Sequence, residues 1–507
     1  MLSDRSRSFN IVRNAGVAIL CQIITIILGF ACRKVLIDSM GLAYVGVNTL
    51  FTSIISLLSF VELGIGNAIV YSLYKPLADN DINKISSLVA YYKRIYIAIG
   101  LSVLTIGTMA IPFLPYLVHV EDGIREDVTL MYLLSLLATG CTYFYAAPKT
   151  LLIADQKQYI EKLIYQFSHI VQVVIQIIVL FVLKDYYAFL IIQVICALFN
   201  NILSHIYVHK KYPYITQLSS QISSDDKQSL FKDVRAMFLY KVGSSFLNYA
   251  SNIFISYFCG LIILGKISNY MLILGVLSGL ITQITSSFSA SIGNKTASES
   301  KDACRETFSK ALFLSVWAAG LSWTGFILFS DSVVTLLFGV DSQIEFAVLY
   351  WCATLYWVQD VHSISTSYRY ALGVFREGRY APLFASCINI VFSFVGYYFL
   401  GVKGLYIAPI ISRILTLGIV DSYLISGSRN GVLWYFLEMT KYFLILSGIL
   451  IVSKYLLSHI DIYDWGRLIL YTILYIVVFN FIWIMIYYRT DNFKYIYKRV
   501  NLLCHGK

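Results

Sequence analysis

The sequence predicts an all-α integral membrane protein of about fourteen transmembrane helices. Composition, the spacing of apolar runs and the placement of positive charge each point to it. Of 507 residues, 58% belong to the set AVILMFWYC and only 13% are charged, and the mean hydropathy is +0.72. Average soluble domains carry about 25% charged residues. A soluble chain of this length would form about three domains, with more charged surface than this composition supplies. Soluble enzymes, nucleic-acid binders and secreted disulfide scaffolds are thereby set aside, despite a net charge of +11 and a pI near 9.0.

Apolar runs of about 20 residues, long enough to cross a bilayer as helices, alternate with charged or turn-rich breaks. In order they cover residues 10–36, 43–73, 86–113, 128–147, 159–183 and 186–208, then 236–259, 264–291, 307–330, 344–372, 380–400, 404–426, 437–457 and 465–488. The first follows a basic N-terminus, MLSDRSRSFN, but it is too long for a secretory h-region and lacks a small-x-small cleavage site. It is expected to remain as an uncleaved span. Nine cysteines include no Cys-x-x-Cys pair and mostly lie in apolar runs, which reads as small buried thiols. The longest hydrophilic break, 211–235, separates six helices from eight. The expected organisation is a six-helix lobe over 1–210, a cytoplasmic linker over 211–235, a second six-helix lobe over 236–430, and two further helices with a basic tail over 431–507.

With the N-terminus inside, 28 Lys and Arg residues fall in the inner loops and flanks, Arg369 among them, and eight in the outer ones. Arg13, Lys241 and Arg413 remain within helices. This bias predicts cytoplasmic termini, and it makes the basic excess mainly a topology signal with some attraction to anionic lipid. The loops between helices are too short for a folded domain, so function is expected within the bilayer.

A shift of 219 residues lays the first helix on the seventh, and GLAYVG at 41–46 then falls on GLIILG at 260–265. Internal duplication of this kind is common in transporters. Both helices carry polar stripes at spacings of three and four, which keep side chains on one face. The first has Gln22, Thr25, Gly29 and Arg33; the seventh has Lys241, Ser245, Asn248, Asn252 and Ser256; the fifth has Gln166, His169, Gln172 and Gln176. Such side chains can join helices by hydrogen bonds. Three coherent stripes that include cations favour a water-filled cavity.

A charge at the bilayer midplane costs at least about 2.5–3.5 kcal/mol, so a deeply placed ionisable residue is a functional candidate. Glu62, Asp360 and Arg413 qualify by depth. Arg413 stands ten residues beyond Lys403, about 15 Å along a helix and too far for easy snorkelling. Arg33 and Lys241 lie nearer an interface, where snorkelling competes with ligand binding, and Arg13 reads as an interfacial anchor. An ion pair of Arg413 with Glu62 or Asp360 is the structural alternative. His169 and His362 could move protons. Two motifs are decoys. In GLIILGK at 260–266 the next residue, Ile267, replaces the Ser or Thr that a phosphate-binding loop requires, and the sequon at Asn294 falls on the cytoplasmic side. No metal site, nucleophile elbow or cofactor motif is expected.

Several segments carry a family resemblance. VELGIGNAI at 61–69, YKPLA at 74–78 with Asp81, ADQK at 154–157, SNY at 268–270, IGN at 292–294, YALGVF at 370–375 and IN at 388–389 resemble bacterial polysaccharide flippases of the Wzx type. The similarity spans roughly residues 8–430, in motifs that are short singly and fairly specific together. That family belongs to the superfamily of MATE exporters and peptidoglycan-precursor flippases.

The resemblance implies two six-helix lobes around a cavity open alternately to each side of the bacterial inner membrane. It also implies a substrate, undecaprenyl-diphosphate-linked oligosaccharide, and a place beside polysaccharide polymerase and glycosyltransferases. It further suggests that the last two helices form a groove for the lipid tail. Within this reading Arg33, Lys241 and Arg413, with Asn248, Asn252 and Gln22, are the candidate binding residues, because a diphosphate in hydrocarbon requires charge-assisted donors. Glu62, Asp360 and His169 are candidate coupling groups. A small-molecule exporter of the same fold and a membrane-embedded polymerase or ligase remain open alternatives.

Overall fold

The computed structural model describes residues 4–59, 65–118, 123–216, 224–296, 301–372, 374, 377–458, 460 and 462–505. Glu62 lies outside the described residues. Among them helix is the only regular structure, and each expected span coincides with helical structure. Among the described residues nine helical segments are long and apolar enough to cross a membrane, or up to ten if the bent pair Val128–Tyr143 and Ala146–Ala154 counts as one span. Two of the nine, Phe238–Gln283 and Ala381–Ser426, each hold two of the expected helices in one helical run. The chain is a multi-pass, all-α membrane protein.

The chain divides into two compact units, Met1–Gly265 and Lys266–Lys507. The first holds α1 (Asp4–Met40), α2 (Leu42–Leu58), α3 (Ile65–Asp79), α4 (Ile82–Thr108), the short α5 (Leu114–Leu117), α6 (Val128–Tyr143), α7 (Ala146–Ala154), α8 (Gln158–Val182), α9 (Tyr186–Lys211) and the first part of α10 (Ser224–Thr296). Aspartates at the breaks start several of these helices. Asp81 accepts from the Lys84 amide, Asp127 from Thr129, and Asp185 from Tyr187 and Ala188. Each cap satisfies amides that have no intrahelical partner, a contribution of roughly 1 kcal/mol.

The repeat expected from the sequence has a structural counterpart here. Gly41 (φ 95°) and Gly260 (φ 81°), matched by the 219-residue shift, both hold a left-handed backbone that side chains disfavour. Beyond them the matched segments pack on each other reciprocally. A methyl group on Gly46 would collide with the Leu261 carbonyl, and one on Gly265 would collide with the Leu42 carbonyl. Exchanging the two segments turns one contact into the other.

The second unit holds the rest of α10, then α11 (Lys301–Phe338), α12 (Phe346–Ala371), α13 (Ala381–Leu400), α14 (Gly404–Arg413), α15 (Ile419–Ser426), α16 (Arg429–Leu457), α17 (Trp465–Tyr487) and α18 (Asp491–His505). A π-turn, Ile414–Gly418, joins α14 to α15. Asp464 and Ser428 cap α17 and α16. α11 packs against α12, α16, α17 and α18. Its contacts with α17 are aromatic: Phe313 meets Trp483 and Tyr487 at centroid distances of 5.6 and 5.1 Å. Trp323 and Trp317 each place the indole N–H on an acceptor, Thr354 at 3.2 Å and Asn480 at 3.0 Å, which offsets the cost of taking a donor out of water. α12 has the length of a span but not the apolarity, since it carries Gln359, Asp360, His362 and Arg369.

Candidate functional site

Those polar residues of α12 are sorted by helical geometry. His362, Thr366 and Arg369 are four and three residues apart and share one face. Asp360, two residues before His362, is turned about 200° away. It accepts from the Ser278 hydroxyl at 2.9 Å, on the α10 side.

The His362 face meets Asp421 of α15. One oxygen of this carboxylate, Oδ1, lies 3.1 Å from Arg369 Nη1. The other, Oδ2, lies 3.1 Å from His362 Nε2 and accepts from Thr366 Oγ1 at 3.1 Å. Asp421 and Arg369 are both 0% exposed. A buried charge is tolerated only with such compensation. Gly378, in the turn after α12, makes room for the guanidinium: a methyl group there would occupy the position of Nη1. Arg369 also lies 5.2 Å from the Tyr370 ring centre.

His362 has a second neighbourhood. With Trp357, Arg413, Tyr435, Phe436 and Phe443 it lines a cavity of about 380 Å³ between α12, the α14 to π-turn junction and α16. Arg413 is the last residue of α14 and is 8% exposed. The π-turn begins at the next residue, and such turns within helices recur at functional sites. The walls are aromatic and apolar, and the charged and titratable groups on them come from three helices. An apolar body with a few convergent polar groups is the general form of a ligand site.

The remaining sequence candidates are distributed over the first unit. Arg33 and Lys241 are half-buried, and Gln22 and Asn248 are exposed. Asn252, 6% exposed, donates to Ser53 Oγ at 2.9 Å, and Ser256 donates to the Leu117 carbonyl at 2.6 Å. The stripes of the first and fifth helices meet where Thr25 donates to Gln166 at 3.0 Å. Further along α8, Gln172 donates to Gln176, which donates to the Phe189 carbonyl at 3.0 Å, and His169 stacks on Tyr165.

The ADQK segment is a connector. Asp155 accepts from Lys157 at 2.5 Å and from Tyr212 at 2.6 Å, while Asn14 of α1 bonds the Gln156 carbonyl and the Tyr159 amide. Burial, reinforced by the Asp155 carboxylate, raises the Tyr212 phenol above its usual pKa. In SNY, Tyr270 donates to Asp331 at 2.5 Å.

Sequence reasoning missed Asp421 and placed Arg369 in a cytoplasmic flank. Arg369 instead lies in the last turn of α12, wholly enclosed. An acid inside the apolar run 404–426, and the spacing of His362, Thr366 and Arg369, were the available signals.

No protein-family model matches the chain, and no curated protein sequence does. Solved structures do. The lipid II flippase MurJ in an inward closed conformation superposes with a TM-score of 0.66 at 17% identity, over 94% of this chain and 100% of that one. An inward-facing multidrug resistance MATE family transporter of the MOP superfamily gives 0.61 at 12% identity, over 83% of this chain and 95% of that one. A MATE structure in a bent conformation gives 0.53 at 11% identity, over 87% and 97%. The chain therefore has the all-α fold shared by MurJ and the MATE transporters.

Proposed function

We propose that this protein flips undecaprenyl-diphosphate-linked oligosaccharide across the bacterial cytoplasmic membrane by alternating access, for surface polysaccharide biosynthesis. The observation that carries the reading is Arg413, a buried cation at an aromatic-walled cavity inside a chain with the MurJ fold. A diphosphate is a stable dianion, and the planar fork of Arg matches its oxygens in pairs, in a medium where water cannot substitute. Tyr435 and Thr440 on the same wall are candidate partners for sugar hydroxyls. Arg33 and Lys241 are further candidate cations, and Asp360 and His169 candidate coupling groups.

The match to MurJ, at 94% of this chain, necessarily extends into residues 431–507, the two additional helices. The loop charge bias supports cytoplasmic termini. Export of a small molecule is the second reading, favoured by the MATE likeness. Aromatic walls suit an organic cation, whereas Arg413 repels one.

Arg413→Ala is expected to abolish surface polysaccharide at near-normal protein abundance, with Arg413→Lys partly active because charge survives and the fork does not. Normal polysaccharide in the Arg413→Ala strain rejects the anion-binding role. Protein reconstituted in vesicles is expected to expose lipid-linked repeat units to an external glycosidase without ATP. Unchanged accessibility argues against flipping. Dye extrusion by the same vesicles identifies an exporter, and chain lengthening a polymerase.

A further inference from the structure

The cavity wall and the buried ion pair share one residue. We infer that His362 takes up a proton when an anionic group enters the second-unit cavity, so that proton and anion bind there cooperatively. The inference rests on the anion-binding reading above and adds the group that links it to pH.

Geometry selects the tautomer of the neutral ring. His362 Nε2 lies 3.1 Å from Asp421 Oδ2. A bare ring nitrogen facing a carboxylate would repel it, so in the neutral ring the proton belongs on Nε2, and Nδ1 is the atom left to take up a second. Asp421 is already balanced by Arg369, also at 3.1 Å. With neutral His362 the buried group Asp421, Arg369 and Thr366 carries no net charge, while Arg413 adds one positive charge at the cavity. Protonating His362 in the empty cavity adds a second, in a medium of low effective dielectric. An entering dianion reverses that cost, since it is attracted to both. By linkage, whatever the anion gives the proton, the proton gives the anion.

The other ionisable groups around α12 are directed elsewhere or are fixed in charge. Asp360 points toward Ser278 of α10. On α11, Glu306 and Lys310 pair at 2.6 Å, and Asp331 accepts from Tyr270. Lys403 stands at the opposite end of α14 from Arg413. On α16, Tyr435 lines the cavity, and Glu438 and Lys441 lie 3.6 Å apart. His362 thus combines contact with the carboxylate and a place on the cavity wall.

The sign follows. A group whose pKa is higher in the bound state favours binding at low pH, and that advantage is lost as pH rises through the bound-state value. One linked proton changes affinity by up to about tenfold per pH unit.

The test is calorimetric titration of the purified full-length protein with farnesyl diphosphate between pH 5.5 and 8.0, in buffers of differing ionisation enthalpy. The wild type is expected to take up about one proton per ligand over part of this range, with affinity falling as pH rises. His362→Gln should bind with neither effect beyond the ligand's own titration, which is common to both proteins. Gln can still donate to Asp421 and so keeps the fold, which thermal melting checks. Wild-type pH dependence retained in His362→Gln overturns this inference alone. Absence of binding to the wild type at every pH overturns it together with the anion-binding reading.

Discussion

Two sets of polar side chains inside the membrane helices behave differently. In the first unit the fully buried members of the stripes of α1, α8 and α10 are neutral, with the cations Arg33 and Lys241 only half-buried, and the neutral members bond to neighbouring helices. Thr25 reaches Gln166, Gln176 reaches a backbone carbonyl of α9, and Asn252 reaches Ser53. In the second unit three buried side chains, Arg369, Asp421 and Arg413, carry full charges among many neutral ones, and Asp421 and Arg369 are held with His362 beside a cavity. A neutral donor in an apolar bundle needs one acceptor and finds it on the next helix. A charge needs several partners, so it draws residues from separate elements to one place and leaves an electrostatic field there.

The largest expected effect separates the two sets outright. Arg369→Met leaves Asp421 with a neutral histidine and a hydroxyl, and breaking a buried pair costs about 3–5 kcal/mol. Thermal melting in detergent should show a large loss. Arg369→Met combined with Asp421→Leu removes both charges and should recover most of it. Equal melting of the single and double variants would show that the pair does not hold the fold. No comparable rescue is expected for any pair in the first unit.

Gly378→Ala sharpens the same point. Its methyl group would take the position of Arg369 Nη1, in a site with no slack. Overpacking of this kind costs about 1–3 kcal/mol. In the Arg369→Met, Asp421→Leu background the flexible thioether can yield, so the cost should shrink. A double-mutant cycle on melting temperature measures the coupling. An equal cost in both backgrounds would locate the strain elsewhere than the guanidinium.

The two sets also differ in how legible they are from sequence. Spans were readable because a bilayer imposes one length and excludes charge from it, and glycines five apart marked the duplicated turn at Gly41 and Gly260. Arg413 was readable because it stands alone in an apolar run, about 15 Å from the nearest flanking cation. Asp421 stands in the same run and was overlooked, and its pairing was not readable, because its partners lie on another helix and only packing brings them together. Arg369 looked like an end residue: three residues from the end of the run 344–372, a wholly enclosed cation and a snorkelling one have the same sequence. The π-helical segment after Arg413 has no sequence mark.

The smallest effect tests the neutral stripes. Asn252 is both a candidate binding residue and the donor in a hydrogen bond to Ser53, and Asn252→Ala distinguishes these roles. Side-chain hydrogen bonds between membrane helices contribute about 0.6 kcal/mol on average and at most about 1.7 kcal/mol. A joining role predicts a slight fall in melting temperature, no further loss in Asn252→Ala with Ser53→Ala, and transport in proportion to folded protein. A binding role predicts unchanged melting and a clear loss of flipping per folded molecule. That second outcome would place a further substrate contact on the neutral stripes of the first unit. It would also show that a satisfied hydrogen bond does not by itself remove a side chain from a transport path.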